Sequence, residues 1–125
     1  MKKDRPVNLD LRTISLPITA YISILHRASG AIMLGGVLVL LYMLDLSLAS
    51  EQSFNELKEI INNPVATFVV WGVLAALAYH TIAGIRHLIM DIGVGETLEG
   101  GRLGAKIVAI LAAAIIIAIG VYLLW

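Results

Sequence analysis

The sequence predicts an all-α membrane protein with three transmembrane helices, and three observations carry that expectation. Hydrophobic residues fill 59 % of the 125 positions and charged residues only 14 %, whereas soluble domains carry roughly 25 % charge. Three stretches are each close to the ~20 residues a helix needs to cross the hydrocarbon core. The lysines and arginines, though balanced overall by acids, are bunched at one end and in one connection. Length limits the chain to a single domain, residues 1–125.

The first span is expected over residues 21–48. Ala28 to Leu44 carries no charge, and the apolar character reaches back to Tyr21 with only His26 and Arg27 interrupting. Pro17 suits the first helical turn or the residue before it. The connection from Glu51 to Asn63 places Phe54, Leu57, Ile60 and Ile61 at helical spacing, which fits a short helix lying in the interface. The second span is expected over residues 64–92, with Asn63 as N-cap ahead of Pro64. Gly93, Gly95, Gly100, Gly101 and Gly104 mark Ile92 to Ala105 as a loop, so the third span is placed at 104–125. Segments that cross lipid must be helical, because their backbone groups find no partners there except each other. Ser47-Leu48-Ala49 has the small-residue pattern of a cleavage site, but the leader before it is too extended for a signal peptide.

Orientation follows from the cations. Lys2, Lys3, Arg5, Arg12 and Arg27 lie at or before the first span, and Arg86, Arg102 and Lys106 flank the second connection; the first connection holds only Lys58 among Glu51, Glu56 and Glu59. The amino terminus and second connection are therefore expected in the cytoplasm and the carboxyl terminus in the periplasm of a bacterial inner membrane. No nucleic-acid partner is expected.

His80 stands out inside the second span, since an ionisable side chain in the membrane is a functional-site hypothesis by default. Relative to His80, at 100° per residue, Gly84 lies at about +40°, His87 at about −20° and Asp91 at about +20°. These four make one polar and small stripe on an apolar helix. Gly84 leaves room one turn away for a flat macrocycle or a neighbouring helix. Two readings of His80 stay open at this point: an interhelical hydrogen bond, or ligation of a metal by its imidazole. The absence of cysteine excludes thiolate haem ligation, iron–sulfur ligation and disulfides within this chain. His80 and His87 are separated by ~10.5 Å of rise, too far for both to bind one iron and short for two haems across ~30 Å of hydrocarbon. If a haem binds, it is one haem with one ligand from this chain, and its second axial ligand comes from another subunit. Arg86 falls off the stripe near the cytoplasmic edge, where it is expected to reach headgroups or a bound anion.

In the first span, Ser23 and Arg27 share a face near the same edge, with His26 and Ser29-Gly30 beside them. A hydroxyl next to a guanidinium suits a ligand with carbonyl or carboxylate oxygens, such as a quinone or a haem propionate; a polar collar on a membrane helix is the alternative. Asp45 reads as interfacial. Tyr42, Tyr79, Tyr122, Trp71 and Trp125 read as interface anchors or packing, and Gly35-Gly36 as a close helix contact.

Two runs then carry a family resemblance. Arg5-Pro6-Val7-Asn8-Leu9-Asp10-Leu11, with Leu16-Pro17-Ile18-Thr19-Ala20 and Ser23-Ile24-Leu25-His26-Arg27-Ala28-Ser29-Gly30, resembles the signature of the succinate dehydrogenase cytochrome b subunits, membrane anchors of respiratory complex II. The run from His80 to Asp91, containing Gly84-Ile85-Arg86-His87, resembles that family's haem-ligand region. The likeness covers nearly the whole chain. It implies a subunit of a hetero-oligomeric helix bundle that shares one b-type haem with a second anchor subunit. It further implies reduction of ubiquinone, with electrons from an iron–sulfur subunit and, through it, a flavoprotein that oxidises succinate. On the resemblance, His80 matches the axial ligand, His26 and Arg27 the haem propionate side, and Ser23 and Arg27 the quinone site; Asp91 is a candidate for proton delivery.

A quinone site at the cytoplasmic edge makes chemical sense, because reduction takes up protons as well as electrons. Ser23 can hydrogen-bond a quinone carbonyl, and Arg27 can stabilise negative charge developing on oxygen. Nothing in the chain resembles a flavin fold or a succinate site, so dehydrogenation is expected on other subunits. Two other readings remain: the anchor of a fumarate reductase, and a small proton-pathway membrane protein that uses His80, Arg27 and Asp91 without haem.

Overall fold

The structure is a computed structural model that describes Val7 and residues 9–125. Lys2, Lys3 and Arg5, with Pro6 and Asn8 of the amino-terminal motif, lie outside the described residues. The described residues form four helices: α1 (Ile18–Ala49), α2 (Glu51–Ile61), α3 (Pro64–Asp91) and α4 (Leu98–Leu124). Of these, α1, α3 and α4 are long and apolar enough to cross a membrane, so the all-helical, three-span fold class stands.

Local chemistry sets most helix ends. Pro17 sits at the N-cap of α1 in extended conformation. Ser50 opens α2 with a reciprocal capping box: its hydroxyl accepts from the Ser53 amide at 3.0 Å, and Ser53 Oγ accepts from the Ser50 amide at 3.0 Å. Asn63 caps α3 by accepting the Val65 amide at 2.9 Å, with Pro64 in the first turn. The short helix expected between the first two spans is therefore present, with Leu57 its buried residue.

The second connection is shorter than the glycines suggest. Thr97 caps α4 by accepting the Gly100 amide at 3.0 Å, so Gly100, Gly101 and Gly104 belong to the first turns of α4 and not to a loop. Only Gly93 and Gly95 take positive φ, at 89° and 75°, the conformation that favours glycine at a helix exit. Helix α4 thus starts at Leu98, ahead of the 104 at which the glycines placed the third span.

Helix α3 packs against both α1 and α4, and α4 touches α1. The core where they meet consists of Ile22, Ala83, Ala105 and Val108, with Ile18, Tyr79, Ile82 and Ala109 packed around it. Ala83 and Ala105 are fully buried. Small residues at such crossings let helix backbones approach, which is how helices associate where lipid is as apolar as they are. Gly36 does this on α1, where a Cβ would lie 3.0 Å from Val73 Cγ1; Gly35 faces open space. The close contact expected at Gly35-Gly36 therefore belongs to Gly36 alone. Tyr79 and Trp71 also act between helices. The Tyr79 hydroxyl donates to the Ile22 carbonyl of α1 at 2.7 Å, and Trp71 Nε1 donates to the Ile116 carbonyl of α4 at 2.9 Å.

Candidate functional site

The polar stripe of α3 faces α1. His80 Nδ1 lies 3.0 Å from Ser29 Oγ and 3.1 Å from the His26 carbonyl oxygen. Ser29, itself buried, donates its own proton to that same carbonyl at 2.7 Å. Both neighbours of Nδ1 are therefore acceptors, which assigns the proton to Nδ1 and leaves the lone pair on Nε2. Gly30 makes this possible, since a Cβ there would come within 3.1 Å of His80 Cε1. One imidazole thus bonds between helices through Nδ1 and carries its lone pair on Nε2. Hydrogen bonding through one ring nitrogen is also the usual way a protein fixes the other for a metal.

Beside His80 stands His26, its ring stacked at 4.1 Å between centroids and 8° from parallel. His87 lies on the other side of His26 at 4.9 Å and 23°, with its Nδ1 on the Ala83 carbonyl one turn back at 2.8 Å. The space left by Gly84 is taken by this neighbour, since a Cβ there would lie 3.6 Å from His26 Nε2. A ring on the face of His80 does not block Nε2, whose lone pair lies in the ring plane. No group of three or more His, Asp or Glu gathers to hold a bare metal ion among the described residues. A haem needs less from this chain, because the macrocycle supplies four nitrogens and a single imidazole completes one axial side. On its donor chemistry, His80 fits that requirement.

The stripe runs on into a polar cleft of about 430 Å³, lined by Thr19, Ser23, Arg86, His87, Asp91 and Thr97, with Glu96 and Leu98 at its mouth. Here the structure joins Ser23 of α1 to the Asp91 end of the α3 stripe. Arg27 is exposed on α1 and does not line the cleft. Arg86 does. Of the two expectations for Arg86, headgroups or a bound anion, the burial speaks against the first: Arg86 is only 9 % exposed, and its Nη2 donates to the Gly101 carbonyl of α4 at 3.1 Å. Gly104 provides the room, because a Cβ at that position would lie 3.2 Å from Arg86 Nε. The physical reason is the glycine notch at the start of α4, which admits a guanidinium between two helices. A larger recess at the opposite end of α3, lined by Phe68, Trp71 and Gly120 among others, contains none of these polar groups.

Sequence reasoning passed over Ser29 as a partner of His80, over Thr19 and Thr97 as cleft residues, and over the inward turn of Arg86 onto α4. The signal for Ser29 was present, since a hydroxyl three residues after His26 on an apolar helix needs an acceptor. For Arg86 the signal was the small-residue spacing Gly101-x-x-Gly104, which marks a close helix approach.

Fold and site together define a helical, multi-pass membrane protein with a histidine cluster between α1 and α3 and a polar cleft beside it. The family model for the succinate dehydrogenase/fumarate reductase transmembrane subunit matches residues 1–121, and the chain belongs to that family. It is 37 % identical over 124 residues to the succinate dehydrogenase cytochrome b556 subunit of Coxiella burnetii, covering 98 % of this chain and 99 % of that one. The subunit of the same name from Paracoccus denitrificans is 27 % identical over 116 residues, 93 % of this chain and 88 % of its own. That from Rickettsia felis is 33 % identical over 95 residues, 76 % and 73 % of the two chains.

Proposed function

We propose that this chain is a membrane anchor of succinate dehydrogenase that contributes His80 as one axial ligand of a b-type haem shared with a second anchor subunit, and that helps form the site where ubiquinone is reduced. The observation that carries this reading is the contact of His80 Nδ1 with Ser29 Oγ and the His26 carbonyl, from which Nδ1 is the donor and Nε2 is left for a ligand. When bound, the haem supplies a one-electron redox centre whose level depends on its ligands and on the dielectric around it. His26 stacks on His80 and limits its rotation, and Arg27, exposed beside it, meets a haem propionate or the quinone. Ser23, in the cleft, donates a hydrogen bond to a quinone carbonyl. Asp91, exposed at the rim of the same cleft, carries protons inward from water. Electrons come from the iron–sulfur subunit, supplied by the flavoprotein. The cation bias places the amino terminus and the second connection in the cytoplasm, on the side of the inner membrane where such soluble subunits would dock.

The test is a reduced-minus-oxidised spectrum of the purified complex. A b-type α-band is expected, and His80→Ala is expected to weaken or abolish it. A complex of full subunit composition that shows no b-type band, or one whose band is untouched in His80→Ala, removes the ligand assignment.

A further inference from the structure

Arg86 carries a charge that no carboxylate among the described residues balances. The residue is only 9 % exposed, its Nη2 donates to the neutral Gly101 carbonyl, and its buried Nε has no partner among the described residues. Among the described residues no carboxylate pairs with it, although Asp91 and Glu96 line the same cleft. A charge taken out of water without a counter-charge is strongly unfavourable, and proteins retain such a group where something else meets it.

The surroundings of the guanidinium favour an oxygen. Thr19 and Ser23 bring hydroxyls to the cleft from α1, and His87 brings an imidazole from α3. The N-terminus of the 27-residue helix α4 opens there through Leu98, and first-turn amides have no partners within their own helix. Oriented amides and the positive end of the helix dipole attract negative charge. Gly101 and Gly104 of α4 hold the guanidinium in place, one by its carbonyl and the other by lacking a side chain.

We infer that Arg86 is a cation that meets the ligand of the Ser23 cleft, and that it binds a ligand oxygen bearing negative charge. Two sources share that chemistry: the quinone ring oxygen, which gains negative charge on reduction, and a haem propionate. The inference rests on the proposed quinone and haem reading for the identity of the source, but the charge argument for an anionic oxygen stands without it.

Arg86→Gln in the intact complex tests it, with purified complex assayed against a short-chain ubiquinone and by haem spectrum and midpoint potential. Loss of a charge-assisted hydrogen bond predicts a roughly tenfold to hundredfold rise in quinone KM, with a smaller change in kcat. Arg86→Lys, which keeps the charge and loses the planar fork, is expected to recover part of that loss. Arg102→Gln, a nearby exposed cation outside the cleft, serves as the control and should change neither reading. A KM shift with an unchanged spectrum assigns the oxygen to quinone; a shifted potential with an unchanged KM assigns it to the propionate. If Arg86→Gln and Arg86→Lys assemble and neither KM nor potential moves, the inference is overturned. Should Arg86→Gln fail to assemble, Gly104→Ala, which presses on the guanidinium at Nε, reads the same two quantities, and no change in either overturns it. Ser23→Ala separates the two proposals: unchanged quinone KM there sinks the quinone reading while the Arg86 result still decides the anion site.

Discussion

Both ends of α3 are fastened to α4 by the same device, and they behave differently. Near the start of α3, Trp71 donates its indole N–H to the Ile116 carbonyl, and Gly120 makes room for the ring, since a Cβ there would lie 3.0 Å from Nε1. Near its end, Arg86 donates to the Gly101 carbonyl, and Gly104 makes room for the guanidinium at 3.2 Å. Indole has one donor, and that donor is satisfied. Guanidinium has five donors and a full charge, and one neutral carbonyl leaves most of that capacity open. The same peg in the same kind of notch is therefore structural at one end and poised for a ligand at the other.

The strongest way to break this comparison is to remove the donor at each end in turn. Arg86→Gln is expected to raise quinone KM at least tenfold or to shift the haem potential, whereas Trp71→Phe should leave both unchanged; a quinone effect from Trp71→Phe would show that the two ends are not distinct. Next come the notches. Gly120→Ala forces a Cβ against a rigid ring and is expected to destabilise the detergent-solubilised complex by about 1–3 kcal/mol. Gly104→Ala meets the far end of a flexible side chain, so its thermal loss should be smaller, and its effect should appear in KM or potential. Equal melting losses with no ligand effect at Gly104 would make both notches purely structural. Smallest is the loss from Trp71→Phe itself, about 1 kcal/mol or less for one interhelical hydrogen bond in a membrane protein, read from the melting midpoint.

Much of this was legible in the sequence because the features are local. Hydropathy located three spans, Asn63-Pro64 located the start of α3, and the spacing of Phe54, Leu57, Ile60 and Ile61 located α2. The stripe of His80, Gly84, His87 and Asp91 was also correctly grouped, because helical periodicity is fixed by backbone geometry. The start of α4 was misplaced because glycine composition reads as loop, while the Thr97 cap and the packing of Arg86 turn the same glycines into a helical notch. The pairing of Ser23 with Arg27 followed from their i, i+4 spacing on one helix, which cannot show that Arg86 of a different helix also lines the cleft.

The sequence by itself determined that this is a three-span helical membrane protein and that His80 lies on a polar face, since solvation and periodicity act residue by residue along the chain. Only the tertiary structure decided what each polar group meets. It put Ser29 and the His26 carbonyl on His80 Nδ1, stacked His26 between His80 and His87, and turned Arg86 inward onto α4. Those outcomes depend on how α1, α3 and α4 are rotated and spaced against one another. That arrangement is set by small residues at the crossings, Ala83, Ala105, Gly36 and Gly104, whose effect exists only once two helices are brought together.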